Sequence, residues 1–414
     1  MSTSCFRAAA VAVAVAVAIL PAAAVAASLT LDRALELAVQ RSEAASSARA
    51  GVRSAFEAAR AAGQLPDPTL RVGVDNLPVT GGDRFSTTRD SMTMKRIGIG
   101  QEWVSSEKRA ARQAAADAMV GRENVSLQAA AAEVRLQTAL AYVDAYFLGE
   151  LLRLATLSEH HVEEQLEAAK ARLSSSAGSS QEVLAMASAL GVAQDESADI
   201  RQQQSAARMA LERWVGVQAD ELSAPAGLVS FDEQAFVANH PAVMAAGRDA
   251  EVARQDAAVA SSNRKPNWSW EVSYGQRTGY PDMVSFGVSI PLPLAPAQRQ
   301  DRETASRLAL FDKAQATLAD ITRIATAQYR ALESDARRLA DRVQRYQASV
   351  VVAAQQRTAA AVAGYRSNQL GLMTVFEARH AELEAQRKLL SLQRELAKAQ
   401  AQLAFKPIVN GGAQ

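Results

Sequence analysis

The 414 residues predict a mainly α-helical chain with a small β part, written twice over. Three observations carry this. Only 21 Gly and 12 Pro occur, both below ordinary usage, which favours long uninterrupted helices rich in Ala. Residues 105–173 and 297–363 contain no proline at all. A shift of 200 positions lays Pro66 on Pro266, Val72 on Val272, Asp32 on Asp232 and Ala58 on Ala258. Identities are sparse, so the shared order of elements is the stronger sign of an internal repeat. Lys+Arg 45 against Asp+Glu 44 gives a net charge of +1, and nothing in that balance points to nucleic acid.

The chain opens with Arg7, an apolar run from Ala8 to Leu20, Pro21 and a small-residue tract ending at Ser28. This pattern predicts a signal peptide over 1–27, cleaved after Ala26 or Ala27, and an exported mature chain. Cys5, the one cysteine, precedes the apolar run, so neither lipidation, disulfides nor thiolate ligands are expected of the mature chain. No later stretch is apolar for long enough to predict a transmembrane helix. If the chain enters a membrane, it does so as strands.

Each repeat begins with a helical pattern, at 29–62 and 231–263, and then changes period from about 3.6 to 2 at a Pro-marked break. In the first copy Leu70, Val72 and Val74 alternate with polar residues, and a returning strand over 91–103 carries Ile97 and Ile99. In the second, Trp268, Trp270, Val272 and Tyr274 alternate with Asn267, Ser269, Glu271 and Ser273, followed by Val284, Phe286, Val288 and Ile290. The apolar stripe suits either the core of a water-soluble sheet or a lipid-facing barrel surface. So little other β structure in an exported chain favours the second.

The returning strands feed the two proline-free segments, each about 100 Å long if helical. Leu136, Leu140, Val143 and Phe147, resuming at Leu154 and Leu157, keep a coiled-coil spacing with small residues at many seam positions. Each long helix ends in a small-residue tip, "SSSAGSS" at 174–180 and "GYRSNQLG" at 364–371, and shorter helices return over 181–214 and 372–405. A return helix covers about half of a long one, so the opening helix is expected end to end with it. The stretch 215–232 is the one plausible non-helical linker, dividing the mature chain into repeats over 28–222 and 223–414.

Chemistry-bearing residues are thin. His160 and His161 adjoin on a helix, His240 precedes Pro241 at a helix start, and His380 lies in the alternating-charge "FEARHAELEAQ"; none has metal-ligand spacing. His240 is expected to cap or to be exposed, and His380 to be solvated. Met92 and Met94 would share a strand face, which two residues without a third ligand explain as packing. Glu159, Glu163, Glu164 and Glu167 beside Lys170 and Arg172 form an ordinary helix surface. No phosphate loop, nucleophile elbow or zinc motif is present. Neither an enzyme nor a cofactor is expected.

Four strands cannot close a membrane barrel alone, so closure needs several chains, and long helices around the same axis would then form a tube. The doubled plan of helix, hairpin, long helix, tip and return helix resembles the TolC family of outer-membrane efflux channels over essentially the whole mature chain. The resemblance rests on "LPDPTLRVGVDNLPV", on "MTMKRIGIGQEW…EKRAAR", and on the tip turns "AGSSQEVL" and "SNQLGLMTVF". Glu182 corresponds to Thr374, Val183 to Val375 and Leu184 to Phe376; Thr374 and Phe376 depart from the family pattern of an acidic, a β-branched and a Leu residue.

The resemblance implies a homotrimer with a long α-helical periplasmic barrel and a twelve-stranded outer-membrane β-barrel. It implies as partners outer-membrane lipid, a periplasmic adaptor (membrane fusion protein) and an inner-membrane RND-type pump. Its strand segments look most like the CusC and CzcC type, serving heavy-metal resistance, although no residue shows metal selectivity. On this reading Arg172, Ser174, Ser176, Gly178, Gly364, Arg366, Asn368 and Gly371 form the periplasmic aperture and adaptor contact. Arg172 and Arg366 could hold a closed state through charge pairs or simply meet helix C-termini. Trp268, Trp270, Val272, Tyr274, Val284, Phe286, Val288 and Ile290 form the lipid face. The alternatives are a drug-efflux or type I secretion channel, and a soluble periplasmic coiled-coil adaptor.

Overall fold

A computed structural model describes residues 28–219, 221–226, 228 and 231–408. The predicted signal peptide and Cys5 lie outside the described residues. Nine α-helices and four strands follow one another among them: α1 Leu31–Arg41, α2 Glu43–Ala62, β1 Thr69–Asp75, β2 Met94–Trp103, α3 Ser106–Ser174, α4 Ser180–Val215, α5 Glu233–Ala238, α6 Pro241–Ser262, β3 Trp268–Gln276, β4 Met283–Ser289, α7 Gln300–Arg345, α8 Val352–Arg366 and α9 Leu372–Phe405. The predicted order is thus present in both halves. The linker after α4 is non-helical where described, and Leu29 bridges Leu222 across it.

The opening helices differ from expectation in each being broken. Ser42 leaves helical geometry to cap α2, its hydroxyl accepting from Ala45 N. Asp232 likewise caps the short α5, and Pro241 then starts α6 because its missing N–H costs nothing at a first helical turn. The second long helix also departs from prediction. It begins at Gln300 after a short 3₁₀ turn, and residues Tyr346–Val351 form a π-helical turn between α7 and α8. There the Ser349 hydroxyl donates to Arg345 O at 2.6 Å, competing for a helical carbonyl. The 69-residue α3 runs without interruption, for a length of about 100 Å.

The helices pack side by side. α2 and α4 both pack on α3, as do α6 and α9, and α6 and α9 in turn pack on α7, with α8 continuing along α9. The opening and return helices therefore share the length of a long helix between them. Buried residues run down α3 from Val125 to Ala169, many of them Ala. On α7 only Ala325 and Tyr329 are buried. Leu136, Val143 and Phe147 are buried, whereas Leu157 is 46% exposed.

The sheet extends the same order, β1-β2-β3-β4, with every pair antiparallel. Met92 falls before β2, in an exposed turn, so it does not share a strand face with Met94. Met94 instead packs on Gly275.

Candidate functional site

The pleat sorts the sheet into two unlike faces. Pairing sets Leu70 beside Ile99, Ile99 beside Val272, and Val272 beside Phe286; one pair along lie Val72, Ile97, Tyr274 and Val284. Trp268, Trp270 and Val288 share this face, and Ile290 follows just beyond β4. No helix among the described residues covers it: Val284 is 73% and Phe286 70% exposed. Trp103 and Trp268 meet at 6.0 Å between ring centroids at the helical end of the sheet. The opposite face carries Arg71, Asp75, Arg96, Glu271 and Ser273, with the ion pairs Arg71–Glu271 at 2.6 Å and Arg96–Asp75 at 2.7 Å. At about 3.3 Å per residue the nine-residue β3 rises about 30 Å, which at a tilt of about 35–45° spans about 21–25 Å, close to the height of an outer-membrane apolar band.

At the far end of the helices, two tips repeat one geometry. Ser176 and Asn368 adopt left-handed φ of 61° and 59°. Ala177 N donates to Arg172 O at 2.9 Å, and Gln369 N to Gly364 O at 2.8 Å, each bond satisfying a carbonyl orphaned at a helix C-terminus. Ser179 then caps α4 through Glu182 N, while Gly371, lacking a side chain, starts α9 without such a cap.

The bulk of the residues is exchanged between the tips. A Cβ on Gly178 would come within 3.0 Å of Arg172 Cβ and Leu173 N, and one on Gly364 within 2.6 Å of Leu370. Arg172 and Gly364 are counterparts, as are Gly178 and Leu370. Each tip thus sets one large residue against one glycine, on opposite sides.

Leu166, Ala169, Met186, Leu372 and Tyr365 join the two tips in a common core. The Arg172 guanidinium lies 5.9 Å from the Tyr365 ring centroid and donates to Ala177 O at 3.1 Å. Arg366 is exposed. Among the described residues neither arginine forms an ion pair. Ser174 is exposed and its hydroxyl donates to Ala171 O.

Between sheet and tips, charged groups tie the repeats together in a way the sequence did not reveal. Arg394 and Lys398 of α9 meet Asp144 of α3 at 2.7 and 3.3 Å, and Arg387 meets Glu196 and Glu384 at 2.8 Å each. The only sequence signal is an unremarkable charge on a helix. Nearby, the buried Tyr142 hydroxyl faces Leu29 O and Ser223 O at 2.6 and 2.7 Å, and burial pushes its pKa up to about 12.

The expectation for His240 is corrected. It occupies the N-cap position of α6, but its side chain caps nothing and is buried against Phe236. Both ring nitrogens lack a hydrogen-bond partner of good geometry. Burial, then the Lys406 ammonium, lower its pKa, and Gln328 offsets this only in part. His380 is exposed and stacks on Phe376, while His160 and His161 both lean on Glu164. Among the described residues no three His, Asp or Glu side chains converge as metal ligands, and no helix is long and apolar enough to cross a membrane.

The sequence matches no protein-family model and no curated protein. Its structure, however, is similar to those of outer-membrane channels. VceC, an outer membrane protein from Vibrio cholerae, superposes with a TM-score of 0.74 at 19% identity, over 91% of this chain and 96% of that one. CusC, solved in connection with transmembrane channel formation, gives 0.75 at 14% identity over 91% of both chains. The open state of the Neisseria gonorrhoeae MtrE outer membrane channel gives 0.73 at 16% identity, over 91% of this chain and 88% of that one.

The chain has the TolC-like channel fold. Within that fold the uncovered apolar sheet face and the two tips stand at opposite ends of one helical layer.

Proposed function

We propose that the chain is the outer-membrane component of a tripartite efflux system, a passive conduit leading substrate from the periplasm or a pump to the exterior. Three copies close a twelve-stranded barrel in outer-membrane lipid, and their helices continue it as a tube into the periplasm. There the tips meet a periplasmic adaptor, itself bound to an inner-membrane RND-type pump. The observation that carries this reading is the sheet. One face is apolar and uncovered, the other is charged, and the strands continue into helices about 100 Å long. An apolar face of that size would be a liability in water and is what lipid requires.

The cargo we infer is a heavy-metal cation. Support comes from the strand segments "LPDPTLRVGVDNLPV" and "MTMKRIGIGQEW", which look like those of the CusC and CzcC type. A conduit needs no ligand residues of its own for such a cargo.

Electrophoresis of detergent-extracted outer membranes, boiled and unboiled, tests the assembly. A trimer that falls to monomer on boiling is expected. Recovery as a soluble periplasmic monomer would overturn the channel and leave a coiled-coil adaptor. Growth of a deletion strain then tests the cargo: sensitivity to metal cations with unchanged tolerance of organic toxicants is expected, and the reverse pattern would assign the channel to drug efflux.

A further inference from the structure

Arg71 and Glu271 lie 200 positions apart and so occupy equivalent places in the two repeats, yet they carry opposite charges and bind one another at 2.6 Å. The contact reaches across β2. Arg71 pairs with Gly98 in the ladder and Glu271 with Gly100, so the side chains meet over two residues that raise no side chain between them. Two identical residues at these places would set like charges together. The chain sets complementary charges there instead.

β1 and β4 are the outer strands, each with one edge that no other described strand covers. The repeat states what belongs there. Thr69 pairs with Gly100, and its counterpart Ser269 pairs with Ser289, so Gly100 corresponds to Ser289 and Gly98 to Gly287. In the internal seam between the repeats Gly98 pairs with Ser273 and Gly100 with Glu271. The same seam built between two molecules sets Gly287 opposite Gly73, and Ser289 opposite Arg71, of the next copy.

Resting on the trimeric channel reading above, we propose that β4 of one copy pairs antiparallel with β1 of the next in this register, closing an alternating collar of Arg71 and Glu271 inside the barrel. Each Glu271 then has an Arg71 on both sides, one from its own chain across β2 and one from the next copy across β4. Three copies give an unbroken ring of three arginines and three glutamates with no net charge. The same register sets Val288 opposite Val72 and Phe286 opposite Val74, so the apolar face continues across the seam. A slip of one residue would turn polar side chains toward lipid. A slip of two keeps the faces but breaks the stagger that lets each arginine reach its glutamate.

Disulfide trapping tests the register in a Cys5→Ser background, which holds no other cysteine. Gly73 and Gly287 have nothing within 4 Å of an added Cβ, so cysteines fit both. Oxidation of outer membranes carrying Gly73→Cys with Gly287→Cys is expected to give reducible covalent trimers, and Asp75→Cys with Gly287→Cys far fewer. Stronger trapping by the shifted pair, or heat-sensitive trimers that neither pair traps, would overturn the register while leaving the channel standing. Absence of any trimer would overturn the channel and this proposal together.

The collar has its own test. Glu271→Arg is expected to lose most of the heat-sensitive trimer seen without boiling, and Arg71→Glu with Glu271→Arg to regain it. An unaffected single variant, or a double swap that restores nothing although the cysteine pair still traps trimers, would overturn the collar.

Discussion

Tyr142 shows how one side chain fastens a long helix to the segments beside it. Its ring packs with Leu31, Leu35 and Leu211, and its one hydroxyl hydrogen is shared between the Leu29 and Ser223 carbonyls. Tyr142→Phe forfeits that bond at a cost of about 1 kcal/mol, seen as a lower unfolding temperature. The pH dependence follows from its pKa, raised to about 12 in the folded chain. Stabilisation is complete below the unfolded value of about 10 and is lost as pH rises through the folded one. Thermal melts between pH 9 and about 12 should fall in the wild type by more than in Tyr142→Phe. His240 works in the opposite range. Its folded pKa is lowered, so its contribution is present above about 6.5 and is lost as pH falls through the folded value. His240→Leu should therefore flatten the loss of stability between pH 7 and 5; an unchanged slope would remove His240 as its source. The sequence placed His240 at a helix start correctly but could not show its burial, because Phe236 and Lys406 reach it from separate segments, Phe236 itself being packed on Tyr329 of α7.

At the scale of the element, the tips give the most direct test of the repeat. Their backbones agree, while the large and small residues that meet inside them are exchanged. Gly178→Leu alone should force bulk onto the Arg172 backbone and destabilise the tip by about 1–3 kcal/mol. Arg172→Gly with Gly178→Leu imports the arrangement of the second tip and should recover much of that loss. Limited proteolysis at residues 174–180 would read both; equal cleavage of single and double variants would show that the tips are not interchangeable. These turns were legible because small residues interrupt strong helical patterns, and the strands because the period changes abruptly to 2. The broken opening helices were not. Ser42 is a tolerable helix residue whose capping bond wins only once α1 and α2 have each found their own packing. The π-helical turn at Tyr346–Val351 is equally silent, since its residues continue an ordinary helical pattern.

Across the whole molecule, duplication accounts for what the sequence could and could not disclose. Order of elements survives sparse identity, because each repeat must still supply a hairpin to the sheet and a helix spanning the full length. The ties between repeats, Asp144 to Arg394 and Glu196 to Arg387, join residues far apart in the chain and leave no local pattern. On the function proposed above, the conduit would separate its tasks by distance, the sheet end serving insertion and closure and the tip end entry. Substitutions at the tip should then change transport without changing insertion or trimer formation. Arg366 stands exposed at the last turn of α8, where a positive charge suits the helix C-terminus. Arg366→Glu reverses that charge, and Gly364→Pro removes a backbone N–H from the last turn of α8, at the residue whose carbonyl receives the tip's closing bond. Both variants should reach the outer membrane as normal heat-sensitive trimers yet leave cells as sensitive to the exported substrate as the deletion strain. Wild-type resistance in both would move the aperture away from residues 364–371. Loss of the trimer instead would mean that the tips help to assemble the tube, contrary to a division of labour along its length.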